Sequence, residues 1–129
     1  MEDPYLNYVY CYDRLLHEYE LYKSLIIAVD FDDTIYDFHK KGHTYKNVID
    51  LLKECSRRGF KIIILTDNSN HKLIEMYCNQ IGIHIEGINK NVIDKFDDCG
   101  KIYYNILLDD RAGLPSAYFL LNKLIKENK

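Results

Sequence analysis

Three short apolar runs punctuate the chain, and each stops at an acid-rich corner. Leu25-Ile26-Ile27-Ala28-Val29 leads into Asp30-Phe31-Asp32-Asp33-Thr34, Lys61-Ile62-Ile63-Ile64-Leu65 into Thr66-Asp67, and Asn105-Ile106-Leu107-Leu108 into Asp109-Asp110. Runs this short, without alternating polar positions, predict strands buried on both faces, as in a parallel sheet. Between them the apolar period turns helical. A helix is predicted from Tyr45 to Arg58, capped by Thr44, with Val48, Ile49, Leu51, Leu52 and Cys55 on one face and Gly59 at its end. A second runs from about Asn70 to Ile81, turning Leu73, Ile74, Tyr77 and Cys78 inward before Gly82. A third opens at Pro115 and Ser116 and carries Ala117, Phe119, Leu120, Leu124 and Ile125 as its apolar side.

The remaining segments are less regular. Leu6, Val9, Tyr10, Asp13, Leu16 and Glu20 recur in a loose helical rhythm, so residues from about Pro4 to Tyr22 predict a helix added before the core. Tyr36 to His43 is polar and contains Gly42, which suits a short hairpin or flap. Ile83 to Ile88 gives a weak strand signal, and Asn89 to Gly100 reads as a connection with one helical turn.

Alternation of strands and helices in this order predicts an α/β domain of three layers, Rossmann-like, with a mostly parallel sheet. The strand near 25–29 takes the centre, flanked by the strands that end at Thr66 and Asp109. With 129 residues and a hydrophobic content of 47%, the chain fits one domain, with 1–23 as the N-terminal helical extension and 24–129 as the core. In such a sheet all strands present their carboxyl ends at one edge, where ligands bind. The acids of the three corners are therefore expected to converge.

Charge and cysteines narrow the partners. A net charge of -3 gives no basic footprint for nucleic acid. Cys11, Cys55, Cys78 and Cys99 form no CxxC pair and follow no secretory signal, so reduced thiols in a cytoplasmic protein are expected rather than zinc or disulfides. No apolar run approaches the roughly 20 residues of a membrane span. Of 12 tyrosines, Tyr5, Tyr8, Tyr10, Tyr12, Tyr19 and Tyr22 crowd the first segment. An amphipathic helix packed on the domain explains them better than a base-stacking surface. The five histidines show no paired metal spacing, and surface or core placement is expected for most; His39 and His43 fall in the flap, where contact with substrate is the competing reading.

Several carboxylates gathered at one sheet edge repel one another unless a cation or a proton is shared among them. Mg²⁺ is the expected cation.

The motif Asp30-Phe31-Asp32-Asp33-Thr34 after an apolar strand, Thr66 at the end of the next, Lys101 upstream of the last strand and Asp109-Asp110 after it resemble the four motifs of the haloacid dehalogenase (HAD) superfamily of phosphohydrolases. The resemblance covers about Leu25 to the C-terminus and extends to Arg111-Ala112-Gly113-Leu114-Pro115, similar to small phage and bacterial members related to the deoxyribonucleotidases. It implies a phosphomonoester hydrolase in which Asp30 attacks phosphorus and forms an aspartyl-phosphate, and Asp32 acts as general acid and then base. It further implies that Mg²⁺ is held by Asp30, the backbone carbonyl of Asp32, and Asp109, with Asp110 as an additional or outer ligand. Thr66 would hydrogen-bond a phosphoryl oxygen and Lys101, with Lys90 and Lys95 as competitors, would offset negative charge. Asp67 and Asn68 either line the substrate side or cap the next helix. Asp33 stands where the family commonly has glycine and is expected to face solvent or cap a turn; Thr34 is expected to fix the loop rather than touch phosphate.

Neither the interval from Asp32 to Thr66 nor that from Thr66 to Asp109 holds a cap domain. The resemblance therefore implies a capless member whose open site suits a nucleotide or a macromolecular phosphoester, or is closed by the N-terminal helix in cis or across a homo-oligomer. A nucleic-acid 3′-phosphatase is one specific form of this reading, without support from charge. Two other classes compete: a catalytically weak phosphate-binding or regulatory module, against which the retained Asp32 speaks, and a receiver-like domain, against which motif order speaks.

Overall fold

The computed structural model describes residues 3–129. A 3-10 turn, Pro4–Leu6, precedes α1 (Tyr8–Tyr22). The core then runs β1 (Ile26–Asp30), α2 (Lys46–Arg57), β2 (Lys61–Leu65), α3 (His71–Gln80), β3 (Gly87–Ile88), a 3-10 helix at Asp94–Cys99, β4 (Ile106–Leu108) and α4 (Leu114–Glu127). All strand pairs are parallel, in the order β3-β2-β1-β4. This is the expected Rossmann-like architecture, helices flanking a parallel sheet, with β1 between β2 and β4.

Register decides which residues reach the site. Asp30 pairs with Leu65, Val29 with Leu108 and Ile64 with Ile88. The first residues past the strands, Thr66, Asn89 and Asp109, thus emerge level with Asp30 at one edge. Ile27, Ala28, Val29, Ile62, Ile63, Ile64 and Leu108 are fully buried, so the central strands are covered on both faces, as a parallel sheet between helices requires. Phe31 and Ile35, also fully buried, extend the core beneath the loop that carries Asp32 and Asp33.

Several local expectations are corrected. The packing face of α1 is Tyr12 and Leu15, backed by Leu16 and Tyr19, whereas Leu6, Val9 and Tyr10 are exposed. The helix begins only at Tyr8, capped by Asn7 accepting from the Val9 N–H at 2.8 Å, so Leu6 lies outside its phase. On α4 the stripe is Leu121, Leu124 and Ile125, with Leu114 and Ala117 packed against it; Phe119 is 65% exposed, since it lies off the three-and-four spacing of that stripe. Thr44 does not cap α2: Tyr45 holds the N-cap position in the left-handed region, φ 53°, without a side-chain cap bond. The stretch Tyr36 to His43 is a turn-rich loop rather than a hairpin, and the predicted strand Ile83 to Ile88 is reduced to Gly87–Ile88, with Ile83 packed into the core as coil. No helix among the described residues is long and apolar enough to cross a membrane.

Candidate active site

The β1 and β4 strand ends deliver Asp30, Asp109 and Asp110 to one point. A ligating oxygen of each lies within 4.8 Å of the others. Thr34, fully buried, ties them together across the sheet. Its hydroxyl stands 3.1 Å from Asp30 Oδ2 and 3.3 Å from Asp110 Oδ1, donating to one at a time, and accepts the Asp110 N–H at 3.1 Å. The expectation that Thr34 fixes the loop holds, through a partner 76 residues away as well as a local one. Asp109 Oδ1 accepts the Arg111 N–H at 2.9 Å, so Arg111 braces the acidic loop through its backbone.

Removing the Thr34 hydroxyl tests this cross-link. Thr34→Val preserves shape but strands the Asp110 N–H, and it is expected to lower stability by about 1–3 kcal/mol in urea unfolding. Wild-type stability in that variant would contradict the role given to the hydroxyl.

Electrostatics at the cluster favour a cation. Burial, a hydrogen-bonding contact with Asp110 and the charge of Asp109 push the Asp30 carboxyl up to about 7, with Thr34 opposing. A carboxyl so displaced, by burial first and neighbouring acids second, is stabilised by a shared proton or a cation. Three carboxylates with spare oxygen lone pairs fit Mg²⁺, which takes carboxylate and water oxygens. The donor set therefore suits the ion that the sequence implied.

Asp32 stands apart from this triad, and its carboxylate is not among the gathered oxygens. Only its backbone carbonyl remains open to the ligand role assigned to it. The Asp32 carboxyl looks toward the end of β2. Burial raises its proton affinity, Asn68 and His39 oppose, and Asp33 and Asp67 add to the rise. Its Oδ1 is buried with no hydrogen-bond partner among the described residues. Asp33 lies in the left-handed region, φ 63°, which explains why glycine suits that motif position. Its Oδ1 is 3.1 Å from His39 Nδ1.

Thr66 is held by a residue that sequence reasoning missed. Asn89 accepts the Thr66 N–H at 2.9 Å and donates to the Thr66 carbonyl at 2.7 Å, a two-point clamp between neighbouring strand ends. Thr66 Oγ1 accepts the Asn68 N–H at 3.0 Å, which leaves its proton to donate outward. The only sequence signal was an Asn following a short apolar pair. Asn68 in turn accepts the Asn70 N–H, and Asn70 rather than Asp67 or Asn68 caps α3. Asp67 is exposed.

The predicted lysine makes no ion pair with the acids. Lys101 is exposed on the approach to β4, and no lysine among the described residues is ion-paired with Asp30, Asp32, Asp109 or Asp110. Lys95 sits over the Phe96 ring at 5.2 Å. Lys90 follows Asn89 at the Thr66 edge, but its methylenes lie across Gly87, 2.6 Å from where a Cβ would be. A cavity of about 870 Å³ lies among Lys23, Arg58, Phe60, Ile125 and Asn128, residues that precede β1 and β2 or end α4. It therefore opens at the opposite edge of the sheet. There Arg58 donates to the Ile125 and Asn128 carbonyls and closes the end of α4.

No protein-family model matches the chain, and no curated protein matches it. A solved structure, described as that of a conserved protein coded by a locus from Bacteroides thetaiotaomicron, is similar at a TM-score of 0.62 and 24% identity, covering 82% of this chain and 93% of that one. At that identity the likeness concerns the fold.

Proposed function

We propose that the chain is a Mg²⁺-dependent phosphomonoester hydrolase of the HAD type. The observation that supports it best is the convergence of Asp30, Asp109 and Asp110 within 4.8 Å, with a separate carboxyl two residues beyond Asp30 whose proton affinity is raised chiefly by burial. Two carboxyl groups on one loop, one placed among acids that fit a cation and one held apart from them, suit two different roles.

In the reaction an Asp30 oxygen forms a bond to phosphorus while the bond from phosphorus to the leaving oxygen breaks, and that oxygen takes a proton from Asp32. Water then attacks the aspartyl-phosphate, Asp32 takes a proton from the water, and Asp30 is released with inorganic phosphate. Thr66, its hydroxyl proton unspent, donates to a phosphoryl oxygen. Mg²⁺ held by Asp30, Asp109 and Asp110, together with the Asp32 carbonyl that the resemblance adds, would supply the positive charge that draws an anionic ester to a ring of carboxylates.

A panel of phosphate esters with Mg²⁺ present tests the reading. Phosphate release from phenyl phosphate at rates on the order of 1 per second or below is expected, lost on chelation and restored by Mg²⁺. A panel with no turnover in which metal is bound would leave the site a binding site and refute the hydrolase.

A further inference from the structure

We propose that the N-terminal end of α1 and the first turns of α4 form a dimerisation face, on which a second copy of this chain packs through Tyr5, Leu6, Tyr8, Val9 and Phe119. The proposal holds whether or not the acidic site turns over, and α1 lies outside the stretch that resembles the HAD superfamily.

Charge marks the face first. In a chain with 29% charged residues, Pro4 to Tyr12 and Ala112 to Asn122 carry none. The fold lays these two uncharged runs side by side: the Tyr8 hydroxyl is 3.0 Å from Ser116 Oγ, and one turn along α1 the Lys123 ammonium lies 4.2 Å from the centre of the Tyr12 ring. Phe119 stands three residues after Ser116 and four before Lys123, so it belongs to the face of α4 that α1 meets. It is nevertheless 65% exposed, so α1 covers that face only in part. The same holds on α1, where Tyr12 is buried and Tyr8, one turn earlier, is 63% exposed. Beyond Tyr8 the 3-10 turn carries Tyr5 and Leu6, both exposed. That turn is held to the helix, since the Cys11 thiol donates to the Tyr5 carbonyl at 3.3 Å and the Asn7 N–H to the Pro4 carbonyl at 3.1 Å.

Area and charge select the occupant. An aromatic side chain presents roughly 200 Å². The exposed fractions of Tyr5, Tyr8 and Phe119, with those of Leu6 and Val9, therefore leave on the order of 600 Å² of apolar surface. Such a patch is at the upper end of what a monomer shows, and it supplies most of the roughly 800 Å² per partner that a stable complex buries. In a twofold dimer each patch meets its own copy. A charged patch would then oppose like charge, whereas an uncharged one is complementary to itself. A lipid surface is the poorer match, because the face offers no lysine or arginine to anionic headgroups and the net charge of -3 gives no attraction to them.

Sedimentation equilibrium of the full chain, from about 1 to about 100 µM, tests the proposal. The wild type is expected at twice the mass of one chain, with a Kd on the order of 10 µM or tighter. A chain carrying both Leu6→Glu and Phe119→Glu sets like charges against each other across the twofold axis, and its association should weaken about a hundredfold or more, leaving a monomer. Both positions are exposed, so its circular dichroism should match the wild type. Leu6→Ser, which adds no charge, should weaken association by about tenfold. Met76→Glu, at an exposed apolar position on α3, should dimerise like the wild type. A wild-type chain that stays monomeric at about 100 µM overturns the proposal, and its capture by phosphatidylcholine vesicles would give the face to a membrane instead. A dimer that persists in the doubly substituted chain, that is indifferent to Leu6→Ser, or that Met76→Glu dissolves, overturns it as well.

Discussion

Replacing Asp30 by asparagine is expected to lower phosphate release from phenyl phosphate by a thousandfold or more, on the order seen when a catalytic nucleophile is removed. The fold should survive, because the side chain at that position accepts from the Thr34 hydroxyl at 3.1 Å and an amide oxygen can do the same. Circular dichroism and size-exclusion behaviour check the fold; a coupled phosphate assay checks the rate. An Asp30→Asn protein that turns over at the wild-type rate removes the double-displacement mechanism, whatever metal the triad binds.

The second large effect concerns stability, metal and pH together. Asp30 is raised to about 7 in the folded chain, against about 4 for an ordinary carboxyl in the unfolded one. Between those values the folded state keeps a proton that the unfolded state has released. The contribution of this group is therefore complete below about pH 4 and is lost as pH rises through about 7. Asp32, raised chiefly by its own burial, acts in the same direction. Metal-free protein should accordingly become less stable across that window, and Asp30→Asn should flatten the slope. Saturating Mg²⁺ at a pH of about 8 should reverse the loss, raising the unfolding temperature of the wild type by on the order of 5 °C or more and that of Asp30→Asn much less. A wild-type melting temperature indifferent to Mg²⁺ would contradict the metal assignment.

Strand ends were legible where burial on both faces demanded unbroken apolar runs. Lys61 to Leu65 is the observed β2, and Ile106 to Leu108 the observed β4. Because a parallel sheet forces carboxyl ends to one edge, the meeting of Asp30 with Asp109 and Asp110 followed from the same pattern. What sequence could not disclose depends on contacts between distant segments. Nothing local to Asn89 announces its clamp on Thr66, which exists only because β3 and β2 are neighbours. Thr44 is a better N-cap by residue type than Tyr45, yet the loop geometry places Tyr45 there. Lys101 matched a motif by its distance from Asp109, but spacing along an irregular connection fixes no direction, and the side chain is exposed. The apolar face of α1 was misread for a related reason: tyrosines on every side of that helix blur its phase, and only docking against α4, with Tyr8 bonded to Ser116 and Lys123 over Tyr12, selects Tyr12 and Leu15.

Covalent capture of the intermediate tests the central claim most directly. Protein quenched in acid during steady turnover of phenyl phosphate, then digested and examined by mass spectrometry, should carry a phosphoryl group on the peptide containing Asp30, none on the peptide containing Asp109 and Asp110, and none at all in Asp30→Asn. Release of phosphate at full rate with no phosphoryl mark on Asp30, or with the mark on another residue, would contradict it.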